Sequence, residues 1–133
     1  MARILLIDDD DDLRDVTAEV LRQAGHAVNT AADGKAGLAR HQAEQHDLII
    51  TDMMMPDMDG VELIMALRRA EPRPRVIAIS GGSKFSEPLY LPVAQRLGVQ
   101  RTLAKPIRAG VLLQAVAEVL AAPAPPTVPP PPA

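Results

Sequence analysis

Short unbroken aliphatic runs alternate along most of the chain with stretches whose apolar positions recur every three or four residues. The runs are RILLI (3–7), DLIIT (47–51) and VIAIS (76–80), with HAVNTA (26–31) and RTLA (101–104) as further short strands. A continuous aliphatic run of this length is the pattern of a strand buried on both faces. After the first run, DLRDVTAEVLRQAG places Leu13, Val16, Val20 and Leu21 at helical spacing and stops at Gly25, a good C-terminal cap. DGKAGLARHQAEQH (33–46) reads as a helix of modest propensity, weakened by Gly37. VELIMALRRA (61–70) is a helix broken by EPRPR, and RAGVLLQAVAEVLAA (108–122) a final one with Val111, Leu112, Ala115, Val119 and Leu120 on one side. A fourth helix falls within 87–97 and is capped by Gly98; Pro92 fits only its first turn, so it starts near 89–91 and is short.

Five strand–helix units of this kind imply an α/β fold, a doubly wound five-stranded parallel sheet with helices on both faces and right-handed crossovers. The expected strand order is 2-1-3-4-5, the flavodoxin-like arrangement, with ligands at the carboxyl ends of the strands where the winding reverses. Residues 2–121 are assigned to this domain. PAPPTVPPPPA favours extended polyproline conformation and cannot build a core, so residues 122–133 read as a disordered Pro-rich tail.

Composition narrows the classes. A chain of 133 residues is one domain, and with aromatics at 2% its core has to be aliphatic. A net charge of −3 argues against a nucleic-acid or anionic-membrane partner. The absence of cysteine excludes disulfides and thiolate metal sites. No stretch of 18 consecutive apolar residues occurs, and the expected location is the cytoplasm.

The chemistry sits where the strands end. The first run leads into five consecutive aspartates, Asp8 to Asp12; the third leads into Asp52, the fourth into Ser80 and the fifth into Lys105. In the expected order these groups converge on one crevice. Two carboxylates 4 Å apart repel by about 4 kcal/mol at an effective dielectric of 20. A hard divalent cation with oxygen ligands relieves that repulsion, and so does an ammonium group such as Lys105. Asp8 and Asp9 point at the crevice, whereas Asp10 to Asp12 suit the entry of the first helix, where the dipole favours negative charge. Met53, Met54, Met55 and Met58 read as apolar cover and core rather than a soft-metal cluster. His26, His41 and His46 lack ligand spacing and read as surface residues, and the arginines of RRAEPRPR (68–75) as a solvated helix end.

With ILLIDDD (4–10), DLIITDMMMPDMDG (47–60), VIAISG (76–81) and LAKP (103–106) in this order, the chain resembles the receiver domain of two-component response regulators, the family that includes single-domain chemotaxis regulators. The resemblance covers residues 2 to about 121 and implies a role for each matching position. Asp52 would accept a phosphoryl group from a phosphohistidine on a sensor histidine kinase or a histidine phosphotransfer protein. Asp9 and Asp52 would bind Mg²⁺ directly and Asp8 through water, with the backbone carbonyl of Met54 as a further ligand. Ser80 and Lys105 would each hold a phosphoryl oxygen. The result would be a switch in binding to a downstream protein target, with no separate enzymatic output. Because only Pro-rich residues follow the domain, a stand-alone regulator is expected; a module excised from a larger regulator or hybrid kinase, or a phosphorylation-independent interaction domain, is the alternative.

One departure is plain. The family commonly carries Tyr or Phe three residues before the strand-five lysine, and this chain has Thr102. Its only aromatic residues, Phe85 and Tyr90, lie between Ser80 and the fourth helix, so residues 81–92 are the expected switch segment.

Overall fold

A computed structural model of the chain describes residues 2–53, 58, 60–70, 72–80 and 96–123. The elements run β1 (Arg3–Ile7), α1 (Asp11–Gln23), β2 (Ala27–Ala31), α2 (Gly34–Ala43), β3 (Leu48–Asp52), α3 (Gly60–Leu67), β4 (Arg75–Ser80), β5 (Arg101–Ala104) and α4 (Ala109–Ala121). All strand pairs are parallel and their order is β2-β1-β3-β4-β5, as the sequence pattern predicts.

Side-chain alternation along the strands builds two cores, one on each face of the sheet. Ile4 and Leu6 of β1, Leu48 and Ile50 of β3, and Ile77 and Ile79 of β4 pack with Ala18 and Leu21 of α1 and with Leu112, Ala115, Val116 and Val119 of α4. Leu5, Ile7, Ile49, Val76 and Ala78 point the other way, onto Leu63, Ile64 and Leu67 of α3. Since successive side chains of a strand face opposite sides, a strand buried on both must be apolar at every position. That is why the runs are unbroken.

The helix ends are set by their caps. Asp10 is the N-cap of α1, its side chain accepting the Leu13 N–H at 3.0 Å, and Asp11 and Asp12 fill the first turn. Asp33 caps α2 in the same way through the Ala36 N–H at 2.7 Å. Gly98 takes φ +87, the left-handed conformation that suits a residue closing a helix. The fourth helix expected within 87–97, with Pro88 and Pro92, lies outside the described residues apart from its last turn.

Four expectations need correction. In α1 the buried stripe is Ala18 and Leu21; Val16 is 63% exposed and Leu13 37%, because the helix docks through the face one position further round. In α4, Val116 is buried and Val111 is exposed. His41 and His46 are not surface residues: both are buried, in the second half of α2 and just before β3. The arginines after α3 are not simply solvated either, since Arg75 Nη2 donates to the Ala122 carbonyl at 2.8 Å and so ties the end of α4 to the start of β4.

Candidate functional site

The parallel register brings the acidic residues to one end of the sheet. Asp52 is the last residue of β3 and pairs with Ile79, so Ser80 lies one step beyond it on β4, opposite Ala104 of β5. Asp8 follows β1 directly, its N–H bonded to the Ala31 carbonyl at 3.2 Å. Asp8, Asp52 and Ser80 are buried, whereas Asp9 is open to solvent. Carboxylate oxygens of Asp8, Asp9 and Asp52 all lie within 4.8 Å of one another. Hard oxygen donors in this number and closeness fit a divalent cation such as Mg²⁺.

Lys105 enters the same cluster from the end of β5. Its Nζ stands 2.8 Å from Asp52 Oδ2 and 3.1 Å from Asp8 Oδ2. Its backbone N–H donates to the Ser80 carbonyl at 3.0 Å, which ties the loop after β5 to the end of β4. Burial by itself would lower the Lys105 pKa, but the hydrogen bonds and charges of Asp52 and then Asp8 outweigh it and raise the value. The ammonium group is thus fixed in its charged form between two buried carboxylates.

The acidic loop is also held from behind. Arg14 Nη1 donates to the Asp8 carbonyl at 2.8 Å and Nη2 to Asp11 Oδ1 at 2.7 Å. This positioning residue is not singled out by the sequence pattern, although Asp11 and Arg14 stand at the i,i+3 spacing that pairs charges on a helix. Asp8 Oδ1 in turn accepts the Asp10 N–H at 3.0 Å, so the first three aspartates form one hydrogen-bonded turn. Met53 is fully buried beneath the site, and Met58 packs against the α3 core, in keeping with the reading of these methionines as cover. Met54 and residues 81–92, with Phe85 and Tyr90, lie outside the described residues. Thr102 stands beside Ala78 on β5 and is half-buried.

Beside the cluster, an apolar cleft of about 440 Å³ opens between α1 and α4, lined by Leu13, Thr17, Ile107 and Leu112 with Asp8 and Lys105 at its edge. Among the described residues, no helix is long and apolar enough to cross a membrane.

Comparison with known proteins gives this site a family. The model of the response regulator receiver domain matches residues 4–117. The response regulator receiver protein CpdR of Brucella abortus is 31% identical over 122 residues, covering 92% of this chain and 99% of that protein. The CAI-1 autoinducer sensor kinase/phosphatase CqsS of Vibrio cholerae is 34% identical over 86% of the chain, which spans only 17% of that protein. A receiver protein of Anaeromyxobacter is 36% identical, and the chain spans 44% of it. Among solved structures, the chemotaxis protein CheY4 of Vibrio cholerae superimposes with a TM-score of 0.79 at 30% identity, covering 90% of this chain and 98% of that one. Fold, strand-end chemistry and sequence agree: the chain belongs to the response regulator receiver domain family.

Proposed function

We propose that the chain is a phosphoacceptor switch in which Asp52 takes a phosphoryl group from a phosphohistidine of a sensor histidine kinase or histidine phosphotransfer protein. The observation that carries this reading is the cluster itself: Asp8, Asp9 and Asp52 gathered within 4.8 Å at the strand ends, with the Lys105 ammonium group bonded to two of them. A carboxylate at the end of a strand, backed by a fixed cation, is arranged as a nucleophile toward an electrophilic phosphorus. In the transfer an Asp52 oxygen forms the new P–O bond as the P–N bond to the donor imidazole breaks. The bonding pair leaves with the imidazole nitrogen, and the product is an acyl phosphate.

Asp9 and Asp52 would hold Mg²⁺ directly and Asp8 through water, with the Met54 carbonyl as a further ligand. When bound, the ion supplies charge neutralisation for the incoming phosphoryl oxygens. Lys105 exchanges one of its two carboxylate contacts for a phosphoryl oxygen, and Ser80, buried at the end of β4, donates its hydroxyl to another. Arg14 keeps the Asp8 backbone in register throughout. The apolar cleft between α1 and α4 offers the donor protein a seat beside the nucleophile. Output is a change in binding to a downstream protein target rather than a second reaction, and residues 2–121 are the unit that carries it.

The test is phosphotransfer from purified candidate histidine kinases, with and without chelator, to the chain and to Asp52→Asn. Rapid Mg²⁺-dependent transfer to the unaltered chain alone is expected. Equal labelling of Asp52→Asn would overturn the assignment.

A further inference from the structure

At the opposite end of β3, where α2 leads into the sheet, two buried histidines stand apart from the phosphoryl chemistry. His41 is 3% exposed and His46 6%. Their Nδ1 atoms face each other at 3.2 Å. The neighbouring bonds decide where the protons are. The His46 backbone N–H donates to His41 Nδ1 at 3.2 Å, so that nitrogen is an acceptor and His41 carries its proton on Nε2. The proton between the two rings therefore belongs to His46 Nδ1, which leaves His46 Nε2 bare. With the Asn29 amide nitrogen turned toward it, that NH₂ donates to His46 Nε2 at 2.9 Å and to Glu44 Oε2 at 3.1 Å, while the amide oxygen accepts from Arg40 Nη2 at 3.1 Å. In this arrangement His41 Nδ1, both ring nitrogens of His46 and the Asn29 amide each have a partner, and both rings are neutral.

An added proton breaks this network: Asn29 Oδ1 can accept it from His46 Nε2 at 2.9 Å only in the amide orientation that gives up the bonds to Glu44 and Arg40. On His41 Nδ1 it would point at two N–H donors. On His46 Nε2 it would meet the Asn29 NH₂, and rotating Asn29 would set that NH₂ against Arg40 and its oxygen against Glu44. The surrounding charges come from several elements: Arg40 of α2, Glu44 and Asp47 of the α2–β3 connection, Arg3 of β1 at 3.9 Å from Glu44, and Arg69 beyond α3 on the His41 side. Burial first and the His41 ring second push the His46 pKa down to about 4, with Glu44 opposing, and burial lowers that of His41.

We propose that His41, His46 and Asn29 form an acid-sensitive latch that joins the C-terminal turn of α2 to β2 and the entry of β3, and that proton uptake by the pair releases α2 from the sheet. The proposal is independent of the phosphoryl reading. The unfolded chain protonates its histidines near 6.5 and the latched His46 near 4. Stability from the latch is therefore complete above pH 6.5 and is lost as pH falls from 6.5 to 4.

The direct test is an NMR titration of the full chain from pH 7.5 to 4, following the ring nitrogens and the amide exchange of residues 41–48. Expected at neutral pH are an Nδ1–H tautomer for His46 and an Nε2–H tautomer for His41. As the pH falls from 6.5 to about 4, the amides of 41–48 should lose about tenfold or more of their protection relative to those of β4. A His46 midpoint near 6.5, the reverse tautomers, or 41–48 amides that track β4 would each overturn the proposal. His46→Phe cannot take a proton at this position and is expected to reduce the fall in melting temperature between pH 6.5 and 5 by roughly half or more. An unchanged acid slope in a folded His46→Phe would also contradict it. If that variant does not fold, the titration of the unaltered chain still decides.

Discussion

Lys105 is the residue on which the acid site balances. It is the only cation in contact with the carboxylate cluster among the described residues, bonded to both Asp8 and Asp52. Lys105→Ala would leave two buried carboxylates facing each other, and a loss of about 1–3 kcal/mol is expected in urea unfolding without metal, discounted for the partial exposure of the lysine. Added Mg²⁺ should restore part of the loss. Asp9→Ala is expected to act in the opposite direction: metal binding weakens, while metal-free thermal stability stays level or rises as repulsion is relieved. A marked drop in the metal-free melting temperature of Asp9→Ala would make Asp9 a structural residue instead. The raised Lys105 pKa has its own signature. The folded state holds this proton more tightly than the unfolded chain at 10.5, so the contribution is full below pH 10.5 and lost as pH rises through the higher folded value. Thermal melts of the unaltered chain between pH 9 and 12 should show this alkaline fall, and Lys105→Ala should show less of it.

At the scale of elements, two glycines decide how closely helices approach the sheet. A Cβ on Gly60, the first residue of α3, would lie 2.7 Å from Met53 Cα and 3.1 Å from the Asp52 carbonyl oxygen. These are backbone atoms at the end of β3, and they cannot swing aside. Gly60→Ala is therefore expected to cost about 2 kcal/mol or more in urea unfolding although alanine is the better helix former, and to slow phosphorylation by shifting Asp52. At Gly37 the obstacle is the flexible end of Ile7, so Gly37→Ala should cost less. Sequence alone reads Gly37 as a weakness in α2; packing shows it as the position that lets α2 lie down on β1. The α1 stripe is a similar case. Leu13 and Val16 have helical spacing, yet Ala18 and Leu21 make the contact, because a helix can carry apolar residues on two faces and periodicity does not say which one meets the sheet.

For the molecule as a whole, strand order and the convergence of Asp8, Asp9, Asp52, Ser80 and Lys105 were legible in the sequence. Each of those residues ends an aliphatic run, and a parallel sheet delivers all such ends to one side. The buried histidines were not legible. Their burial follows from the meeting of α2, β2 and the connection to β3, and Asn29, His41 and His46 form no periodic pattern along the chain. Arg14 stayed hidden for a related reason, since its main partner is the carbonyl of Asp8 and backbone acceptors leave no mark in a sequence. Because the acid site is built from the ends of separate strands, Mg²⁺ should bind the folded state only and raise its melting temperature by mass action.

The most direct test of the phosphoacceptor assignment is intact-mass measurement after treatment with acetyl phosphate, in Mg²⁺ and in chelator, for the unaltered chain and Asp52→Asn. The two side chains are nearly isosteric, so the variant keeps the fold and loses only the nucleophile. The expected result is one phosphoryl group, labile to alkali, on the unaltered chain in Mg²⁺, and none in chelator or on Asp52→Asn. Undiminished labelling of Asp52→Asn would contradict the role given to Asp52.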